Sequence, residues 1–171
     1  MDLSGMSGHT ANNVKEEKSS DRTHIYGRFV FFAGLFVSAY DSAVIRNGSY
    51  TNTAIAFLGA ILFLAGIILY FAARLTLGKF FSEKVRIVPE HKLITKGPYR
   101  IVRHPIYLGE ILYFLSIPMI FSSLFGFFIM LALIPLLLHR IIIEENVMSS
   151  KFGQEFQEYA RRTKKLIPYI Y

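Results

Sequence analysis

The chain has 171 residues, with 19 Lys and Arg against 12 Asp and Glu, and it is 53% hydrophobic. So much apolar sequence in so short a chain excludes an ordinary water-soluble core, and it turns the net charge of +7 towards an anionic membrane surface rather than nucleic acid. The absence of cysteine removes disulfides, thiolate nucleophiles and cysteine-ligated zinc.

In chain order, residues 1–23 are rich in Ser, Gly, Asn, Lys and Glu and read as a disordered tail without a cleavable signal peptide. Phe29 to Ile45 is an apolar run interrupted only by Ser38, Tyr40, Asp41 and Ser42. Ala54 to Ala73 gives twenty residues without a charge, enough to cross a hydrocarbon layer of about 30 Å as a helix. The thirty-three residues between Pro105 and His139 hold a single charge, Glu110. That stretch is too long for one span and suffices for two short ones, with a turn at Ser122 and Ser123 and kinks at Pro118 and Pro135. In the tail, Phe152, Phe156 and Tyr159 recur at spacings of four and three, as on an amphipathic helix at the membrane surface. The expected fold is an all-α integral membrane protein with about four transmembrane helices, five if residues 105–139 divide differently. A cytosolic linker and the amphipathic carboxyl-terminal helix complete a single domain over residues 24–171.

Charge orients this arrangement. With the amino terminus in the cytosol, every Lys and Arg except Arg46 falls on the cytosolic side, including residues 74–104 and the tail beyond Glu144. The sequon Asn47-Gly48-Ser49 then lies outside and reads as a turn.

The polar residues that break the apolar pattern are the candidates for chemistry. Arg103-His104-Pro105 precedes the third span, and a helix start there offers free N–H groups to an anion beside two basic side chains. For Arg103 alone, a basic collar at the interface is the better reading. Glu110 is either a functional carboxylate inside the bilayer, where one is costly, or a headgroup-level residue of a helix that begins later. Arg140 and Glu144 are four apart and share a helix face, while Glu145 points about 100° away. They form either an ion pair at the membrane exit or a site for a substrate with both charges. Asp41 falls towards the opposite side and reads as structural. No phosphate loop or dinucleotide fingerprint is present, and the five histidines lack a metal-binding spacing.

Two segments in this order, "HKLITKGPYRIVRHPIYLG" and "RIIIEENVMSSKFGQEFQEYARRTKKLIP", resemble the isoprenylcysteine carboxyl methyltransferase family and related membrane phospholipid methyltransferases. The likeness covers about residues 74–168. It implies an integral membrane enzyme that uses S-adenosylmethionine, enclosed by the linker and the carboxyl-terminal segment. Carried onto this sequence, it implies that His91, Lys92, Leu93, Ile94, Tyr99, His104, Pro105, Ile106 and Tyr107 line the cofactor. Gly109 would allow close backbone approach, Glu144 would bind the cofactor's polar end, and Arg140 would position the methyl acceptor. Some members carry a glutamine where this chain has Lys84. The implied acceptor is lipophilic: the carboxylate of an isoprenylated cysteine, or a phospholipid amine. The carboxylate is already ionised near neutral pH and needs no general base, whereas an amine must first lose a proton, and no residue stands out in the sequence to take it. Two other readings remain. One is a relative of the NADPH-dependent sterol and steroid reductases, which look similar near the Phe-Gly of the tail; the other is a non-catalytic membrane protein whose basic loop recruits anionic lipids.

Overall fold

A computed structural model describes residues 23–45, 52–81 and 92–168. The expected amino-terminal tail, the sequon, Lys84 and His91 lie outside the described residues. The architecture is all-helical: α1 (Thr23–Tyr40, with a π-helical continuation Asp41–Ile45), α2 (Thr53–Leu77), α3 (Pro105–Ile120), α4 (Leu124–Leu131), α5 (Leu133–Phe152) and α6 (Gln154–Arg162). Short 3₁₀ turns follow α2 and precede α3.

Local sequence sets most boundaries. The Asn52 side chain accepts from the Ile55 N–H (3.2 Å) at the start of α2, and Ser123 does the same for Gly126 (3.1 Å) at α4. Pro105 occupies the first turn of α3, where its missing N–H costs nothing. The expected Ser122–Ser123 turn is present, with Ser122 at φ 51°. Pro118 lies inside α3, and Pro135 interrupts the ladder so that α4 and α5 meet at Ala132.

Among the described residues, three segments are long and apolar enough to cross a membrane, namely Thr23–Ile45, Thr53–Phe80 and Leu124–Phe152, and Pro105–Ile120 is a shorter apolar helix. This chain is therefore an integral membrane protein, with its apolar side chains turned outward: Phe29, Phe36, Phe57, Ile68 and Phe128 are all more than 60% exposed. The stretch after Pro105 divides at the expected Ser122–Ser123 turn into the short α3 and the apolar segment Leu124–Phe152, whose last helix α5 carries Arg140, Glu144 and Glu145 on past His139. One expectation is corrected: the tail is not one helix. Gly153 at φ 52° breaks it, so Phe152 closes α5 while Phe156 and Tyr159 lie buried on α6.

The helices approach closely where side chains are small. A Cβ on Gly66 would sit 2.7 Å from the Tyr113 nitrogen, and one on Gly109 would sit 2.9 Å from the Gly66 carbonyl oxygen. These contacts seat α3 antiparallel against α2, as small residues do in membranes where no hydrophobic force drives helices together. At one end of the bundle the Asn52 N–H donates to Ser122 Oγ (3.1 Å). The site lies at the other end.

Candidate active site

A cavity of about 590 Å³ opens between α1, α3 and α5 and is closed at one end by the segment before α3 and by α6. That volume suits a drug-sized or cofactor-sized molecule. Helical periodicity supplies its walls. On α3, Ile106, Tyr107, Glu110, Tyr113 and Phe114 form one stripe, and on α5, Leu133, Leu136, Leu137, Arg140 and Glu144 form another. Both stripes are polar at the clasped end and become apolar further into the bundle.

At the polar end, Tyr107 joins two side chains of α5. Arg140 Nε donates to the Tyr107 hydroxyl (2.9 Å), and that hydroxyl donates to Glu144 Oε2 (2.7 Å). Arg140 is buried, while the Glu144 side chain remains 30% exposed, with His104 Nδ1 3.9 Å from its carboxylate. The His104 and Tyr107 rings stack at 5.7 Å. The result is a guanidinium and a carboxylate held in fixed relation by a phenol, both at the wall of one cavity.

Glu145 faces the other way and ties the end of the bundle together. It accepts from Arg103 Nε (2.7 Å), lies 3.2 Å from His104 Nε2 and pairs with Lys165 Nζ at 3.2 Å. The Arg103 guanidinium also donates to the carbonyl oxygens of Ala160 (2.9 Å) and Thr163. Backbone bonds from Arg103 N to Lys164 O (2.8 Å) and His104 N to Lys165 O (3.0 Å) seal the same seam. Tyr159 adds a bond from its hydroxyl to the Tyr99 carbonyl (2.7 Å). Burial, partly opposed by Arg103, pushes the Tyr159 hydroxyl up to about 12, and burial raises Tyr99 well above the ordinary tyrosine range, so both hydroxyls stay protonated at neutral pH.

Of the residues singled out by sequence, Leu93, Ile94, Tyr99, His104, Ile106, Tyr107, Arg140 and Glu144 line the cavity. Lys92 is exposed and outside the lining. Pro105 is fully buried at the helix start, and Gly109 faces α2 rather than the cavity. Arg103 serves structure, since its guanidinium is committed to Glu145 and two carbonyls. Asp41 is buried at the far end of α1. Two residues acquire roles that sequence did not assign: Glu145 as the hub of the clasp, and His24, whose buried Nδ1 lines the cavity without a hydrogen-bond partner among the described residues. The adjacent pair Glu144-Glu145 was the available signal. On one helix, neighbouring positions must serve different faces.

The donor set fits S-adenosylmethionine. A cavity-facing carboxylate suits an ammonium group, aromatic walls suit a sulfonium and a base, and a spare buried imidazole nitrogen awaits a polar partner.

Comparison with known proteins places this geometry among relatives. The profile of the isoprenylcysteine carboxyl methyltransferase family matches residues 58–150. A probable protein-S-isoprenylcysteine O-methyltransferase of Oryza sativa subsp. indica is 32% identical over 119 residues, covering 68% of this chain and 62% of that protein. A Delta(14)-sterol reductase of Mus musculus is 35% identical over 92 residues, covering 52% of this chain and 22% of that protein. The structure of the eukaryotic intramembrane Ras methyltransferase, itself an isoprenylcysteine carboxyl methyltransferase, superposes with a TM-score of 0.71 at 23% identity, over 88% of this chain and 54% of that one. That likeness establishes the fold. The chain spans less than two thirds of the length of these relatives.

Proposed function

The chain belongs to the isoprenylcysteine carboxyl methyltransferase family, and from that premise we propose that it transfers a methyl group from S-adenosylmethionine to a membrane-borne acceptor, the carboxylate of an isoprenylated cysteine. The observation that carries this reading is the Arg140–Tyr107–Glu144 chain on the cavity wall.

In this reading Glu144 takes the cofactor's ammonium group, with Tyr107 fixing the carboxylate's orientation. Tyr99, His104 and the walls at Leu93, Ile94 and Ile106 enclose the rest, while Lys92, Pro105 and Gly109 act through the backbone that carries them. The bound cofactor supplies an electrophilic methyl group. Arg140 aims the acceptor carboxylate at it, and the apolar stripe of α3 and α5 receives the isoprenoid chain. The carboxylate is already ionised, so alignment is the main task left to the protein. The one-sided distribution of Lys and Arg supports a cytosolic clasp and cytosolic termini.

Calorimetric titration of the detergent-solubilised protein with S-adenosylmethionine and with NADPH tests the cofactor. Heat with NADPH alone would favour the reductase reading, which the 35% identity to the sterol reductase supports; heat with neither would leave a lipid-recruiting protein. Cysteines placed singly at Ser49 and Ser150 test orientation in intact cells. External labelling at Ser150 but not Ser49 would reverse it.

A further inference from the structure

Helix α1 supplies a wall of the cavity to which the proposed transfer gives no task. His24, Gly27, Arg28 and Phe31 recur at the spacing of one helix face and line the cavity together. The Nδ1 atom of His24 is buried and has no hydrogen-bond partner among the described residues, an arrangement that costs stability until a ligand completes it. Gly27 is a second opening in the same wall. A Cβ built on it would meet nothing within 4 Å, whereas one on Gly34, two turns further along, would press on the Met130 side chain at 2.9 Å. Glycine at position 27 therefore answers no packing demand within the protein. It leaves a notch that faces the cavity.

Helix contacts fix the depth of this wall. Helix α1 runs antiparallel to α4 and α5, since Gly34 meets Met130 and Ser38 meets Gly126. His24 is as many residues from Gly34 as Arg140 is from Met130, so His24 and Arg140 stand at about one level. Packing against α3 gives the same level independently. The Phe31 and Phe114 rings are 4.9 Å apart, and an equal step back along each helix reaches His24 and Tyr107. Glu144 lies one turn closer to the clasp than Arg140. His24 is thus level with the place where the acceptor carboxylate meets Arg140, beyond the cofactor's ammonium group, and Gly27 and Phe31 follow the path into the apolar end.

We propose that α1 forms the second half of the acceptor site: His24 Nδ1, in the tautomer that carries a proton there, donates to the acceptor carboxylate opposite Arg140, and the Gly27 notch admits the first part of the lipid chain. The inference rests on the methyltransferase reading above and deepens it. In the transfer an oxygen–methyl bond forms as the carbon–sulfur bond breaks, with that bond's electrons remaining on sulfur. No proton moves, so His24 acts as a fixed donor and neither as acid nor as base. The carboxylate loses charge on becoming an ester, so a hydrogen bond to it is no stronger in the transition state than before. Its loss is therefore read in KM rather than in kcat.

The test uses the full chain in non-ionic detergent, with radiolabelled methyl transfer to a farnesylated cysteine analogue and to its S-butyl counterpart. His24→Ala should raise KM for the farnesylated analogue about tenfold, as expected of a hydrogen bond to a charged group, with kcat and S-adenosylmethionine affinity unchanged. His24→Asn, whose amide nitrogen can take the position of Nδ1, should recover part of that loss; a merely structural histidine would not be rescued in KM alone. Gly27→Leu should keep the melting midpoint and reduce the preference for the farnesylated over the S-butyl analogue about tenfold. Calorimetry gives a readout without turnover: the farnesylated analogue, titrated into protein saturated with S-adenosylhomocysteine, should bind His24→Ala more weakly than the wild type. An unchanged KM in His24→Ala, or a fall in S-adenosylmethionine affinity in its place, would overturn the inference. A Gly27→Leu variant with the wild-type preference would overturn it as well. A wild type that binds no S-adenosylmethionine sinks the methyltransferase reading instead.

Discussion

Glu144 and Glu145 are adjacent on α5 and meet opposite fates. Glu145 faces the seam between the α3 start and the tail, where Arg103, His104 and Lys165 surround it. Glu144 faces the cavity and receives one strong bond, from the Tyr107 hydroxyl. A saturated carboxylate holds structure together, since its lone pairs are used; a carboxylate with accepting capacity left over, at the wall of a cavity, is available to a ligand. The comparison separates stability from binding within a rotation of about 100°.

Removing each side chain is the most direct way to break that division. Glu145→Ala leaves Arg103 and Lys165 around an emptied site, and breaking a buried pair from one side typically costs about 3–5 kcal/mol. Arg103 and Glu145 are 9% and 16% exposed in their side chains, so screening reduces this only modestly. Thermal unfolding in detergent should show a large drop in midpoint. Glu144→Gln should keep the midpoint and weaken S-adenosylmethionine binding by about 2–5 kcal/mol, the loss expected of a charge-assisted contact. If both variants lose stability and neither changes affinity, Glu144 is part of the clasp and the division fails.

Arg140 sharpens the comparison from the cavity side. Its guanidinium fork can hold a carboxylate at two points, which a lysine ammonium cannot. Arg140→Lys should retain cofactor affinity and lose about a hundredfold in turnover, the penalty for about 1 Å of misplacement. Wild-type turnover on the farnesylated analogue would reduce Arg140 to an anchor for Tyr107.

Sequence disclosed one side of this comparison and concealed the other. The four-residue spacing of Arg140 and Glu144 is local, so their common face could be read directly, and the apolar runs located the spans. The clasp joins Glu145 to Arg103 across 42 positions and to Lys165, and no periodicity in a single sequence encodes such a contact. For the same reason Arg103 read as a basic collar or part of an anion site while its partners lay in the tail. Gly109 invited a ligand, yet the nearest backbone belongs to α2, because close packing between helices and close approach to a cofactor both call for glycine. The turn at Ser122 and Ser123 was legible because its signal is local, and beyond it the apolar helix α5 can carry Arg140 and Glu144 onward because they face a cavity rather than lipid.

The smallest expected effect tests whether the clasp is cooperative beyond its ion pairs. Tyr159→Phe removes the hydroxyl that donates to the buried Tyr99 carbonyl at 2.7 Å and leaves the ring packed. The cost should be about 1–2 kcal/mol, a hydrogen bond lost with its acceptor left dry. Alkaline titration supplies an independent signature. In the folded protein Tyr159 titrates near about 12, against an ordinary value of 10.0, so between these pH values the unfolded chain binds fewer protons than the native one and stability falls as pH rises. The contribution is fully present below pH about 10 and lost as pH passes through about 12. The Phe variant should lack this part of the alkaline decline, while the part due to Tyr99 persists in both proteins. Melting curves in detergent at pH 8 and near pH 11 should therefore converge for variant and wild type at the higher pH. A gap that stays constant would mean that the Tyr159 hydroxyl titrates normally, as an exposed phenol would, and that the seam it guards is open to water.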